Sequence, residues 1–310
     1  MDALTHTLTG ITIGMAGYPR WGRRGSLWLA VAANLPDIER AASIGGAAAW
    51  VKTAYGGGHS VLTAPLLGLV AAALVHRAVG GWRAALEMVV LGLGSHVALD
   101  LVSGPGVRLL WPLSGHFYGL TVMTRYDLLA LAALAMALFI PALLNLVNRD
   151  IGAAPYRPQT GARLGLAALT LLVALRVALF LIYEDRVAPP STAGYILIPS
   201  AIHPLTWYVV TDMGPAYTVE HFTLGRYDPP LRFRKPQPNR AFETAAETPL
   251  AQAFLEMAQF PQYSLERGAQ GMLVRIRDLR FYSPMGDGRD FSVEIEVTPQ
   301  LQVVSQRARM

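Results

Sequence analysis

The sequence contains no cysteine and few charged residues. The absence of cysteine excludes disulfide bonds and thiolate metal ligands, so any metal must be held by histidine and carboxylate. Charged residues make up 15% of the chain and hydrophobic residues 53%, and the mean hydropathy is +0.34. This composition is more apolar than that of an ordinary globular domain. It predicts an integral protein of the inner or plasma membrane.

The excess of basic charge lies wholly in the apolar part of the chain. Residues 1–190 hold 14 Lys and Arg against 9 Asp and Glu, while residues 191–310 hold 12 of each. The basic residues of the first part cluster in short connections between apolar runs, as topology signals do, so we expect no nucleic-acid partner. If all runs cross, alternate loops hold eight and five basic residues. The positive-inside rule then places the termini and the C-terminal domain on the non-cytoplasmic side.

Six apolar stretches stand out, at residues 4–17, 26–44, 60–79, 84–103, 127–147 and 163–183. A helix needs about 20 residues to cross ~30 Å of hydrocarbon, so the last four are long enough to span and the first two are short. The pattern predicts about four to six membrane helices. Pro36 and Pro141 lie inside helical patterns and are predicted to kink them.

The character of the chain changes after Pro189-Pro190, where charges of both signs become frequent. We predict a mainly α fold, a polytopic membrane helical bundle over residues 1–188, with a small soluble α+β domain over residues 189–310. Strands are predicted at Ile202 to Val210 and Tyr217 to Leu224, and a helix at Pro249 to Phe260. A hairpin is predicted from Leu273 to Tyr282 and Phe291 to Val297, around Gly286-Asp287-Gly288.

His96 and Asp100 are ionisable residues within one apolar stretch. Such groups cost about 2.5 to 3.5 kcal/mol each on insertion scales and mark functional sites by default. Because they are four residues apart, a helix presents both on one face, as two ligands of one ion require. A hydrogen bond within the helix is an equally common use of this spacing.

The predicted helix topology places three further candidate ligands on the same side of the membrane as His96 and Asp100. If the stretches alternate across the membrane, His6, Asp37 and His59 fall on the same side as His96 and Asp100. These five residues are the predicted metal ligands, and Asp37 and Asp100 are the candidate catalytic residues. Imidazole with carboxylate suits Zn²⁺, in one or two ions, although Mn²⁺ or Fe²⁺ also use such ligands.

Four further residues are candidates for substrate binding. Arg108 and Arg125 offer paired donors to phosphate oxygens, and Asn34 and His116 lie near the proposed site in sequence. Salt-bridging or interfacial roles remain open for the arginines and for His116, and stabilisation of the Pro36 region remains open for Asn34.

Several motifs together carry a family resemblance. They are Asp2-x-x-Thr5-His6-x-x-x-Gly10, Asn34-Leu35-Pro36-Asp37, His59-Ser60, His96-x-x-x-Asp100 and Leu109-Leu110-Trp111-Pro112-Leu113-Ser114. In this order they resemble the YdjM-like family of membrane-bound metal-dependent hydrolases, over about the first 185 residues. That family is thought to be distantly related to zinc-dependent phospholipase C and zinc nucleases. The chain departs from it at Ala54 to His59, where members often carry His-Arg-x-x-Thr-His.

The resemblance implies a ligand assignment and an activity. Asp37, His59, His96 and Asp100 would hold one ion, and His6 with Asp100 would contribute to a second. The implied reaction is hydrolysis of a phosphoester in a lipid or lipid-linked substrate, with membrane lipids as partners and no protein partner indicated. The alternative is a transporter or an ion- or proton-conducting protein that uses the same residues. A metalloprotease is disfavoured because the sequence has no His-Glu-x-x-His motif.

Overall fold

The computed structural model describes residues 1–17, 20–22, 24–104, 106–187, 194–223, 226–235, 239–282 and 291–309. It confirms the predicted fold class, a helical membrane part followed by a smaller α+β part. The chain forms two compact units, one of Met1–Glu39 with Tyr55–Leu179 and the other of Arg40–Ala54 with Phe180–Met310. The predicted domain boundary stays a prediction, and Pro189-Pro190 lies outside the described residues.

Seven α-helices precede the first strand in the described part of the chain. Their bounds are α1 Ala3–Ala16, α2 Gly25–Ala32, α3 Ala47–Thr53, α4 Ala64–Val75, α5 Trp82–Leu101, α6 Leu128–Asp150 and α7 Pro158–Arg186. A 3-10 helix, Pro36–Gly45, lies between α2 and α3. The Asp2 side chain begins α1 by accepting hydrogen bonds from the backbone N–H groups of Leu4 and Thr5, which the helix leaves unpaired.

Three helices, α5, α6 and α7, are long and apolar enough to cross a membrane, among the residues described. The third stretch, predicted to be long enough to span, forms only the 12-residue helix α4, which is about 18 Å long and shorter than the ~30 Å of hydrocarbon. Turns at residues 61–63 and 76–80 replace helix at its two ends.

Pro36 separates two elements and does not kink one, contrary to the prediction. Helix α2 ends at Ala32, and the 3-10 helix begins at Pro36 itself. The proline ring disfavours helical geometry at the preceding residue, so the chain turns there. Helix α6, in contrast, continues through Pro141.

Helices of the first unit meet through small residues. Helix α1 packs against α2, α5 and α6, and α5 also contacts α2 and α4. A Cβ added to Gly10 would lie 2.5 Å from the Leu29 carbonyl oxygen, so only glycine allows α1 and α2 to approach this closely. Outward side chains are apolar, with Leu74 80% and Phe139 74% exposed. Such surfaces are typical of contact with lipid.

The second unit contains two antiparallel sheets in its described part. The first sheet has the order β1 Tyr195–Pro199, β2 Thr206–Asp212, β3 Ala216–Thr223 and β4 Arg226–Tyr227, and β5 Leu231–Arg234 pairs with β3. The second has the order β6 Pro261–Arg267, β7 Met272–Asp278, β8 Ser292–Val297 and β9 Val303–Arg309. Helices α8 Arg240–Ala246 and α9 Pro249–Leu255 precede β6, and α3 packs against α9.

Element boundaries in this unit differ in part from the prediction. Strand β2 begins four residues later than predicted, because the Ser200 hydroxyl accepts hydrogen bonds from the N–H groups of Ile202 and His203 and forms a turn. Strand β3 agrees with its prediction as far as Thr223, and Leu224 lies outside the described residues. Helix α9 ends at Leu255, five residues early. Strands β7 and β8 pair as predicted, but Leu279–Phe281 is a 3-10 helix, and Gly286-Asp287-Gly288 is outside the described residues.

Candidate metal centre

The five predicted ligands come from four separate segments of the first unit. His6 lies in the second turn of α1, Asp37 at the start of the 3-10 helix, and His59 in the loop before α4. His96 and Asp100 lie one turn apart near the C-terminal end of α5. The structure brings all five together, and whether they hold a metal stays a prediction.

Asp100 is at the centre of the cluster and uses its two oxygens differently. Its Oδ1 lies 3.2 Å from His6 Nε2 and also contacts the amino group of Met1. Its Oδ2 lies 3.1 Å from His59 Nε2 and 3.4 Å from His96 Nε2. One carboxylate therefore faces imidazoles on both sides.

His96 links the remaining members. Its Nε2 lies 3.0 Å from His59 Nε2 and 4.0 Å from Asp37 Oδ1, and its ring stacks on the His6 ring with centroids 3.7 Å apart. Two overlapping sets result, His6 with His96 and Asp100, and Asp37 with His59 and His96. In each set the ligand atoms lie within 4.8 Å of one another.

The burial and chemistry of these groups fit a metal ion. The three histidines and Asp100 are buried, and the Asp37 side chain is 17% exposed. Burying a carboxylate is costly unless a cation or hydrogen-bond donors compensate its charge, and the Met1 amino group supplies part of this compensation at Asp100. Three imidazoles and two carboxylates converge here without thiolate, which is a ligand set that zinc accepts.

A backbone carbonyl orients the His96 ring, and a carboxylate lies beside the His59 ring. His96 Nδ1 lies 2.6 Å from the Ala33 carbonyl oxygen. A carbonyl can only accept, so Nδ1 carries the proton and Nε2 presents its lone pair to the cluster. His59 Nδ1 faces Glu39 Oε1 at 3.4 Å. Both rings therefore direct Nε2 towards Asp100.

Among the predicted substrate-binding residues, Arg125 is electrostatically linked to the cluster. Its backbone carbonyl accepts a hydrogen bond from the Asp2 N–H at 3.0 Å. Burial lowers the pKa of Arg125, but interactions with Tyr55 and Tyr126, and to a smaller extent with Asp37 and Asp2, more than offset this and raise the pKa above its usual value. A permanent cation thus lies within electrostatic reach of Asp37.

The other three predicted substrate-binding residues make contacts of different kinds. Asn34 Nδ2 donates to Thr7 Oγ1 at 2.9 Å and to the Ala30 carbonyl at 2.8 Å, so it ties α1 to α2. Arg108 is buried, with its guanidinium 4.8 Å from the centre of the Phe117 ring. The structure does not place His116 in the cluster, because its side chain is exposed and its ring packs edge-on against Tyr118.

Two charged residues of this unit, Arg176 and Glu39, were not among the predicted site residues. Arg176 lies in the middle of α7, where its Nη1 is 2.8 Å from Asp127 Oδ2 and both side chains are buried. A basic residue inside the stretch 163–183 was a sufficient signal, by the same rule that selected His96. Glu39 gave no such signal, because it lies in a polar segment beside Arg40 and resembles an ordinary surface charge.

Three apolar helices and a buried cluster of histidines and carboxylates define an integral membrane protein with a potential metal site. A model of the YdjM inner membrane protein family matches residues 1–183, and the chain belongs to this family. The predicted family resemblance is confirmed, and the relation to zinc-dependent phospholipase C stays a prediction. No curated protein and no solved structure matches the chain significantly.

Proposed function

We propose that this protein is a membrane-embedded, metal-dependent hydrolase that cleaves a phosphoester of a lipid or lipid-linked substrate. The observation that carries the proposal is the buried convergence of three imidazoles on the two oxygens of Asp100. Hydrogen bonding within a helix, the competing explanation of the His96 and Asp100 spacing, does not account for His6 and His59 at the same carboxylate.

The two overlapping ligand sets share His96, and the two oxygens of Asp100 face His6 on one side and His59 with His96 on the other, which supports two ions with Asp100 shared between them. Asp37, His59, His96 and Asp100 would hold one ion, and His6 with Asp100 would contribute to the other. Zinc is the metal we propose, and manganese or iron would use the same ligands. When bound, the metal supplies a Lewis acid that lowers the pKa of water and stabilises negative charge in the transition state.

The residues around the cluster have separate tasks in this proposal. Asp37 is the most exposed of the five ligands, so it is the carboxylate from which a proton can pass between the site and solvent. Arg125, cationic and within electrostatic reach of Asp37, would bind a phosphoryl oxygen through its paired N–H donors.

A lipid substrate is supported by the loops next to His59. The Ser60 hydroxyl donates to the carbonyl oxygens of Leu109 and Trp111 at 3.1 and 2.6 Å, which joins the two loops. The exposed side chains of these loops include the apolar Leu113, which is 82% exposed, and Val61, Leu62 and Leu110. An exposed apolar surface beside a polar cluster suits a molecule with a charged head and hydrocarbon chains.

Metal content is the first test. Detergent-purified wild-type protein, repleted with zinc and then desalted, should retain one or two equivalents, and the His96→Ala and Asp100→Ala variants should retain less. His116→Ala is the matched control, because that imidazole is exposed and outside the cluster. Wild-type protein that retains no transition metal contradicts the proposal.

Turnover is the second test. Metal-loaded protein should release phosphate or a phosphorylated headgroup from a panel of phospholipids, and chelation should abolish the release. Metal-dependent flux into liposomes without turnover of any lipid would instead support the transporter.

A further inference from the structure

Glu39 has no place in the ligand set, yet its carboxylate reaches the cluster. It lies two residues after Asp37 in the 3-10 helix, and its side chain is 9% exposed. Its Oε1 accepts a hydrogen bond from the Tyr55 N–H, and its Oε2 accepts one from the Gly58 N–H at 3.1 Å. The same Oε1 lies 3.4 Å from His59 Nδ1.

The two nitrogens of His59 therefore face opposite kinds of group. Its Nε2 faces Asp100 Oδ2 and His96 Nε2 at 3.1 and 3.0 Å. Its Nδ1 faces Glu39. A carboxylate stabilises the tautomer that carries the proton at Nδ1, which leaves the Nε2 lone pair for a metal. His96 is held in the same tautomer by the Ala33 carbonyl.

We propose that Glu39, whose carboxylate lies 3.4 Å from His59 Nδ1, is a positioning residue that accepts a hydrogen bond from the Nδ1–H of His59 when a metal is bound and so prepares His59 Nε2 as a metal ligand. This inference rests on the proposed metal site and identifies a residue outside its ligands that determines its affinity. A carboxylate behind a ligating imidazole fixes the ring and raises its basicity. Removal of such a partner typically lowers metal affinity about 10- to 100-fold.

The competing role for Glu39 is to anchor the loop through Tyr55 and Gly58 alone. Glu39→Gln removes the charge at nearly constant shape and should weaken Zn²⁺ binding about 10- to 100-fold. Glu87→Gln is the matched control, because Glu87 is a partly buried carboxylate of the same unit that accepts from Trp21 and Arg83. This control should leave Zn²⁺ affinity unchanged.

A double-mutant cycle with His59→Ala tests whether Glu39 acts on the metal through His59. If it does, Glu39→Gln should have little effect in the His59→Ala background, where His6, His96 and Asp100 would be the remaining ligands for Zn²⁺. An equal loss of affinity in both backgrounds, or no loss in the wild-type background, would overturn the proposal.

A measurement on the unaltered protein covers the case in which Glu39→Gln does not fold. Nitrogen NMR of zinc-loaded, ¹⁵N-histidine-labelled protein should show His59 with a proton on Nδ1 and the metal on Nε2. The opposite tautomer overturns the positioning role.

Zinc binding without lipid turnover contradicts the proposed hydrolase and leaves the Glu39 result standing, so the two failures are distinguishable.

Discussion

Arg176 and Asp127 form an ion pair with both side chains buried. Asp127 also caps α6 by accepting a hydrogen bond from the Ala130 N–H at 3.1 Å. Loss of one partner leaves the other charge buried without compensation, which typically costs about 3 to 5 kcal/mol. The loss of either partner of this pair, which joins α7 to the start of α6, should therefore destabilise the fold considerably.

We expect Arg176→Met to lower the thermal stability of the detergent-solubilised protein strongly. Arg163→Met, on the same helix but at an exposed position, should change the free energy of unfolding by no more than about 0.5 kcal/mol. The measurement is thermal unfolding followed by circular dichroism. Equal stability of the two variants would contradict this account of the pair.

Tyr217 makes the second unit sensitive to alkaline pH. Burial, reinforced by Asp212 and Asp278, raises the pKa of Tyr217 to about 12. Because its proton is held more tightly in the folded than in the unfolded chain, its stabilising contribution is complete below about pH 10 and is lost as the pH rises towards 12.

The expected loss is on the order of 1 to 3 kcal/mol over this range. Urea unfolding of the full chain at a series of pH values, followed by near-UV circular dichroism, would measure it. Tyr217→Phe should be less sensitive to alkali than wild type. Parallel pH profiles for the two proteins would show that other groups are responsible.

The placement of individual residues was predictable where a single sequence rule was enough to give it. The spacing of four placed His96 and Asp100 on one helix face, and their Nε2 and Oδ2 atoms are 3.4 Å apart. Glu39 was not predictable in this way, because its role depends on a fold that returns Tyr55 and His59 to the 3-10 helix. Arg176 was predictable from its apolar surroundings, although it was not among the predicted site residues.

At the scale of elements, the contact between α2 and α5 determines the orientation of His96. Gly92 lies against the end of α2, where an added Cβ would meet Ala32 Cβ at 2.5 Å and Ala33 N at 2.9 Å. Ala33 also supplies the carbonyl that binds His96 Nδ1. The close approach of the two helices and the tautomer of His96 therefore depend on one another.

Gly92→Ala should force the helices apart, lower stability by about 1 to 3 kcal/mol and weaken Zn²⁺ binding. Gly94→Ala is the matched control two residues away on the same helix, where an added Cβ meets no atom within 4 Å. It should be neutral or stabilising by about 0.5 to 1 kcal/mol, as alanine is preferred to glycine in helices. Thermal unfolding and zinc titration of both variants test this, and similar behaviour would refute it.

Element lengths were less predictable than element identities. Hydropathy identified the stretches that contain α4, α5, α6 and α7 but not the ends of α4. Ser60 bonds to Leu109 and Trp111, 49 and 51 residues away, so the chain enters α4 from a loop. A local hydropathy pattern contains no information about such distant partners.

At the scale of the whole molecule, the orientation in the membrane is still a prediction. The loops between α5 and α6 and between α6 and α7 lie on opposite sides if these helices cross. The distribution of basic residues favours the first loop outside and the second in the cytoplasm.

The absence of cysteine makes this prediction directly testable. Gly115→Cys in the first loop and Ala153→Cys in the second introduce one thiol each, both at exposed positions. In intact cells a membrane-impermeant maleimide should label Gly115→Cys and spare Ala153→Cys until the membrane is permeabilised. The reverse pattern would invert the topology.

Glu39 has a consequence for how the chain can vary. The first unit is interrupted after Glu39 and resumes at Tyr55, and the carboxylate of Glu39 binds the backbone of Tyr55 directly. Both ends of the intervening segment, residues 40–54, are thus fastened together by one side chain. Closing a loop of another length costs little extra free energy once its ends are joined. Changes in the length of this segment should therefore disturb the arrangement of the histidines little, provided that α3 keeps its packing against α9.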